Sequence, residues 1–340
     1  MSQGNKTGSF PSLRSVNFGF GALSQERIVF ILAALLFAAF ALFVDGFASA
    51  ANLLSLVRGV SVLGILGIGM ALVVIGRGIN LSLVATMAIS VAWTLSLIAS
   101  MQGAVIPMLI GIAFAIAIGI VAGVLIAYVE IPALFATLAM GTLIYGIGRF
   151  KLIDLDIVYV PENAGWMKIF GAVQVFDIPT PVLYFVAIAA VASLGLRYTK
   201  IGKFIYAQGD NLVAARITGI PVRPLIVLQY VASSLIGFAA GIITAASVAS
   251  MNTRIVNSTL IYDVILVVVL GGVGLSGGKG GIRNVIVGTL LIGVLLNGMT
   301  ILDVQYTAQN VIKSTILLVA LVVDSFLNPR DEQVAQQGDI

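Results

Sequence analysis

Residues 105–129 read VIPMLIGIAFAIAIGIVAGVLIAYV, without one charged side chain. The hydrocarbon core of a bilayer takes about 20 apolar residues per helical crossing. In lipid every backbone polar group must be satisfied within the element, so such a run is a helix or a strand of a closed barrel. Here it is continuous rather than alternating, which predicts a helix. Nine further runs of this kind flank it. The expected spans are about 28–46, 54–75, 81–101, 105–129, 132–151, 180–197, 223–249, 259–275, 283–301 and 307–326. The fold class this predicts is an all-α polytopic membrane protein with about ten transmembrane helices.

Composition agrees. The 340 residues are 60% hydrophobic and 9% charged, with a mean hydropathy of +1.12. A soluble domain has far more polar surface than this. There is no Cys and no His, which excludes disulfides, Cys or His metal sites and a histidine proton relay. The net charge of +4 comes from loop Lys and Arg and does not point to nucleic acid.

Residues 1–27 are polar, rich in Ser and Gly, and read as a cytoplasmic tail. Ala48-Ser49-Ala50 resembles a signal-peptidase site, but the preceding apolar run is long for a signal, so a retained first span is expected. With the N-terminus inside, ten spans return the C-terminus inside, and 327–340 form a second cytoplasmic tail. Basic residues test this topology. Lys6, Arg14, Arg27, Arg77, Arg197, Lys200, Lys203, Arg216, Arg223, Lys279, Arg283 and Arg330 fall on the proposed cytoplasmic side. Arg149, Lys151, Lys168 and Arg254 fall outside, and Arg58 and Lys313 lie within spans. The bias favours this orientation. Residues 152–179 form the longest external loop, acidic at Asp154, Asp156, Glu162 and Asp177. That loop either docks a soluble partner or is a solvated loop with interface aromatics Tyr159 and Trp166.

One polar, basic stretch interrupts the apolar chain. Leu196 to Pro224 reads LRYTKIGKFIYAQGDNLVAARITGIPVRP. Asp210 to Thr218 predicts a short helix, with Asp210 or Asn211 as N-cap and Gly219-Ile220-Pro221 as its end. A rigid helix outside the membrane is a lever on the spans beside it. The plain alternative is a basic loop lying on anionic headgroups.

Other motifs exclude functions. Gly272-Val273-Gly274-Leu275-Ser276-Gly277 matches G-x-G-x-x-G, but it lies among membrane helices with no acid near the required spacing. Gly278-Lys279 lacks the upstream Gly and the following Ser or Thr of a phosphate-binding loop. The glycines and Lys279 read instead as a tight cytoplasmic turn between two spans. Membrane-embedded charges are functional candidates by default: Asp263, Lys313 and Arg58. Lys313 either lines a polar path or pairs with a carboxylate such as Asp263 or Asp303. Acids are otherwise scarce at mid-membrane, which disfavours an ion-coupled secondary transporter, the second reading. A membrane-embedded enzyme, the third, lacks a polar catalytic cluster. Glycines in four spans predict close helix packing.

From about Asn52 to Asp324 the chain resembles the permease subunits of bacterial ABC importers for ribose and similar monosaccharides. Four stretches carry the resemblance. Gly78-Ile79-Asn80-Leu81-Ser82 is similar to G-I-D-L-S. Ile205 to Asn211, leading through Ala214-Ala215-Arg216 to Gly219-Ile220, is similar to the loop that docks the ATPase. Asp263, Val268 to Gly272 and Gly277 to Gly280 resemble a long glycine-rich signature, and Leu296-Asn297-Gly298 with Lys313 match later positions. Three residues depart from the pattern: Asn80 replaces Asp, Val213 stands where an acid is common, and Leu212 where Pro or Glu is common. The last two shift docking onto Arg216, backbone and shape.

The resemblance implies a multi-pass protein of the bacterial cytoplasmic membrane. It implies three kinds of partner: a cytoplasmic ATPase subunit, an external solute-binding protein, and a second permease subunit. No cofactor is implied in this chain, ATP and Mg being held by the ATPase. The docking residues implied are Gly209, Asp210, Asn211, Ala214, Ala215, Arg216 and Gly219. The cytoplasmic turn comprises Gly271, Gly272, Gly277, Gly278, Lys279 and Gly280. Candidates for the translocation path or for structural polar contacts are Asn80, Asp263, Asn297 and Lys313.

Overall fold

The computed structural model describes residues 25–101 and 103–327. The tail expected over 1–27 and that over 327–340 lie almost wholly outside the described residues. The chain runs through helices α1 (Gln25–Phe43), α2 (Ala50–Ile75), α3 (Leu83–Ser100), α4 (Val105–Ala127) and α5 (Ala133–Ile147). A π-turn over Gly148–Leu152 extends α5. Strand β1 (Ile157–Tyr159), a 3-10 turn, helix α6 (Lys168–Gly171) and the ribbon β2 (Gln174–Val175) and β3 (Ile178–Pro179) follow. Then come α7 (Thr180–Tyr198), α8 (Lys200–Asp210), α9 (Leu212–Ile217), α10 (Val222–Val248), β4 (Ser250–Asn252), α11 (Leu260–Gly271), α12 (Ile282–Ile301) and α13 (Tyr306–Leu327).

Each expected span corresponds to a helix. Among the described residues eight helices are long and apolar enough to cross a membrane, while α11 and the apolar part of α13 are shorter. Two sequence expectations are corrected. Residues 25–27 belong to α1 rather than to the tail. The eighth span ends at Gly271, not at residue 275, because Gly272 turns left-handed (φ +94°). Its N–H and that of Val273 return to the carbonyls of Val269 and Val268, which closes the helix.

Burial sorts the helices. Helices α2, α3 and α10 are apolar almost all round and form the interior. Helices α4, α5, α7 and α13 leave Leu109, Leu138, Val191 and Leu318 exposed, as a protein solvated by lipid does. Helix α4 lies against α10 with almost no gap. A Cβ on Gly119 would lie 2.5 Å from Val231 Cα, and one on Gly123 2.6 Å from Val227 Cα. Association in lipid rests on such van der Waals contact between backbones, since there is no hydrophobic drive between helices.

Because the helices alternate in direction, their ends form two faces. The 196–224 segment lies on one, called here the docking end. At the far end β1 pairs antiparallel with β4 (Ile157 opposite Asn252, Tyr159 opposite Ser250). The Asp156 carboxylate sits between Arg149 (2.7 Å) and Arg254 (2.5 Å). Thr253 donates its N–H (2.7 Å) and Oγ1 (2.9 Å) to the Asp156 carbonyl. The 152–179 segment is thus stitched to the connection between α10 and α11.

Candidate functional site

The 196–224 segment holds two helices, α8 and α9, where the sequence predicted one over 210–218. Asp210 is the last residue of α8, and Asn211 alone is the N-cap of α9. Asn211 Oδ1 accepts from the Ala214 N–H at 2.9 Å. Its extended backbone (φ −148°, ψ 104°) breaks the helix between the two pieces. Thr218 caps the other end, and Gly219 (φ +82°) turns the chain toward α10. The sequence signal for a single helix failed because Asp210 is an N-cap type, whereas the amphipathic repeat upstream continues helix through it.

Helix α9 stands out from the bundle. Ala215 is its one buried residue, while Val213, Ala214, Arg216 and Ile217 are exposed, Ile217 at 81%. Arg216 borders a hollow with Pro221, Val222, Arg223 and Pro224. At the adjoining turn Arg223 pairs with Glu130 at 3.0 Å.

Helix α8 is rooted where α9 is free. Gly209 is buried, and a Cβ there would strike the Ile75 carbonyl at the end of α2 and the Gly278 backbone. Gly278 donates its N–H to the same Ile75 carbonyl at 2.8 Å. Gly277, Gly278 and Gly280 all take positive φ (84°, 70° and 92°), a conformation that side-chained residues resist. Tyr206 Oη donates to the Gly280 carbonyl at 2.8 Å, and burial pushes its phenol pKa up, keeping it a neutral donor. Lys279 is exposed at the tip of the turn. Gly271 closes α11, its carbonyl accepting from Asn284 Nδ2 at 2.8 Å. Gly272 follows as the cap. Gly209 and Asp210 at the end of α8 and the glycine-rich turn, far apart in sequence, therefore pack into one assembly.

Two residues buried beneath this assembly were not singled out as site residues, although Gln208 lies in the stretch that carries the resemblance. Gln208 and Gln229 are 1% and 3% exposed. Gln208 Nε2 donates to the Gly76 carbonyl at 2.9 Å, and its Oε1 accepts from Gln229 Nε2 at 3.2 Å. The signal available was Gln229 itself, a lone amide inside an apolar run, which must find a partner.

The remaining candidates lie apart from this assembly and at different places. Asn80 is fully buried. It donates to Ser233 Oγ (3.0 Å) and accepts from Ser82 Oγ (2.7 Å), tying the start of α3 to α10. Asn297 and Asn52 exchange amide hydrogen bonds of 2.9 Å in both directions, linking α12 and α2. Lys313 pairs with Asp263 and not with Asp303. Its Nζ lies 2.9 and 3.0 Å from the two carboxylate oxygens and 3.0 Å from Thr259 Oγ1. Arg58 Nε is buried in α2 without a hydrogen-bond partner among the described residues.

The fold is thus that of a polytopic helical bundle with a protruding helix pair at one end. The family described as the permease component of branched-chain amino acid transport systems matches residues 52–322, and the chain belongs to it. It is 33% identical to the ribose import permease protein RbsC of Escherichia coli (strain K12) over 81% of this chain and 85% of that one. The ribose permease of Haemophilus influenzae is 32% identical over 92% of this chain and 97% of that one. The L-arabinose transport system permease protein AraH of Escherichia coli (strain K12) is 30% identical over 91% and 93%. No solved structure matches. The chain is thus a permease of the ABC-importer kind and a multi-pass protein of the bacterial inner membrane.

Proposed function

We propose that this chain forms the translocation path for a monosaccharide in an ATP-driven importer, the solute being delivered by an external binding protein. The similarity to ribose and arabinose permeases over most of the chain supports the sugar class. The observation that carries the coupling to a separate motor is helix α9. A short capped helix, exposed except at buried Ala215 and half-buried Leu212 and joined to a braced α8 through Asn211, is made to sit in a partner's groove. The partner is a cytoplasmic ATPase subunit, which holds ATP and Mg and makes this chain itself no enzyme. The docking end is then cytoplasmic, and the β1–β4 end faces the binding protein. A second permease subunit, identical or related, completes the path. ATP binding draws the ATPases together, moves α8 and α9, and opens the path outward.

The test is purification of the tagged chain from native membranes in mild detergent. A stoichiometric ATPase subunit is expected. Arg216→Glu, at an exposed position, should reduce that subunit severalfold while the level of membrane-inserted permease stays unchanged. A chain that emerges alone and folded refutes the proposal.

A further inference from the structure

We propose that Gln208 is the positioning residue that carries motion of the docking helices into α10 and α2. This rests on the docking reading above and assigns the transmission to one side chain.

Gln208 sits in the last turn of α8, three residues before the break at Asn211. Its amide is used on both sides at once. The NH2 group holds the Gly76 carbonyl at 2.9 Å, just past α2, and the oxygen holds Gln229 of α10 at 3.2 Å. Glycine at position 76 leaves the space that the Gln229 amide fills. Both amides are nearly inaccessible to water. If α8 shifted alone, it would strand a donor and an acceptor in a dry site, where water does not replace the lost partner. The low-energy movement is therefore a joint one, with α8, the end of α2 and the start of α10 displaced together. The chain itself joins α9 to α10 through residues 218–221, but no other hydrogen bond of α8 among the described residues reaches α10. Tyr206 and Gly209 bind α8 to the glycine turn and the α2 carbonyl end, but neither reaches α10 by a hydrogen bond. Helix α10 runs the length of the bundle, so it delivers the displacement to the far end.

The chain has no native Cys, so one introduced thiol reports one place. Val248→Cys puts it at the far end of α10, at a residue 63% exposed. The assay is the rate of maleimide modification in the permease–ATPase complex, with and without a non-hydrolysable ATP analogue and Mg. The unsubstituted complex should change its rate on adding nucleotide by about fivefold or more, the lower range for coupling between sites. Gln208→Met fills the same space without hydrogen bonds. It should keep the ATPase bound at the original ratio and lose the nucleotide response. Gln229→Leu cuts the same link from α10 and leaves α8 untouched, so it should lose the response as well. A nucleotide response that survives in either variant overturns the proposal. So does a loss of bound ATPase in both, because the bridge would then only hold the docking site together. A complex that binds ATPase but shows no response even without substitution also overturns it. Failure of the docking reading is distinguishable: no ATPase is then bound to the unsubstituted chain.

Discussion

Replacing Lys313 by Met should destabilise the protein far more than replacing Lys313 and Asp263 together. The ammonium donates to Asp263 Oδ2 and to Thr259 Oγ1, each at 3.0 Å, and Asp263 Oδ1 lies 2.9 Å away as an ion-pair contact without hydrogen-bond geometry. Both charged side chains are buried, so neither regains water when its partner is removed. Breaking such a pair from one side costs about 3–5 kcal/mol, nearly all of it the isolated charge left behind. Lys313→Met should lose about that much, and Asp263→Leu a similar amount. The double substitution leaves no charge, and Thr259 keeps Asn310 Oδ1 at 3.2 Å as a partner. Exchanging a buried pair for apolar groups of similar volume is often close to neutral, so the double variant should lie within about 2 kcal/mol of the parent. The coupling energy between the sites is then at least about 4 kcal/mol. Titration of the purified chain with a denaturing detergent, followed by the fluorescence of Trp93 and Trp166, supplies the three free energies. If the double loss equals the sum of the single losses, the pair is not one electrostatic unit and the reasoning fails.

Two further outcomes follow from the docking end and the interior. Asn211→Ala removes the cap of α9, which should cost that helix about 1 kcal/mol and speed amide exchange over residues 212–217, whereas Asn211→Asp should not. Equal exchange in both variants would contradict the capping role. Gly119→Ala forces a Cβ within 2.5 Å of the α10 backbone and should cost about 1–3 kcal/mol in the same detergent titration. Gly195→Ala, where a Cβ meets open space, should lose nothing and gain up to about 1 kcal/mol of helix propensity, and a similar loss in both variants would show that contact with α10 is not the cause.

The sequence by itself determined the helical class, because the bilayer admits only internally bonded segments and the apolar runs have the length a crossing requires. It also set 196–224 apart as the one polar, basic stretch and showed its resemblance to a docking loop, since such a stretch is conspicuous in a chain only 9% charged. Capping was legible in part: Asn211 was one of two candidates, and only the backbone geometry separated it from Asp210. The end of α11 was misplaced because an apolar run does not stop where a helix does, and the left-handed turn at Gly272 ends it first. What tertiary structure alone decided is which distant residues meet. Gly209 against Gly278, Gln208 between Gly76 and Gln229, Asn52 with Asn297, and Asp263 with Lys313 are pairings across many residues of sequence. Hydropathy is summed over a local window, whereas a buried polar group takes its partner from whichever helix the packing brings alongside. That choice rests on side-chain shape at the helix contacts, which no local pattern records.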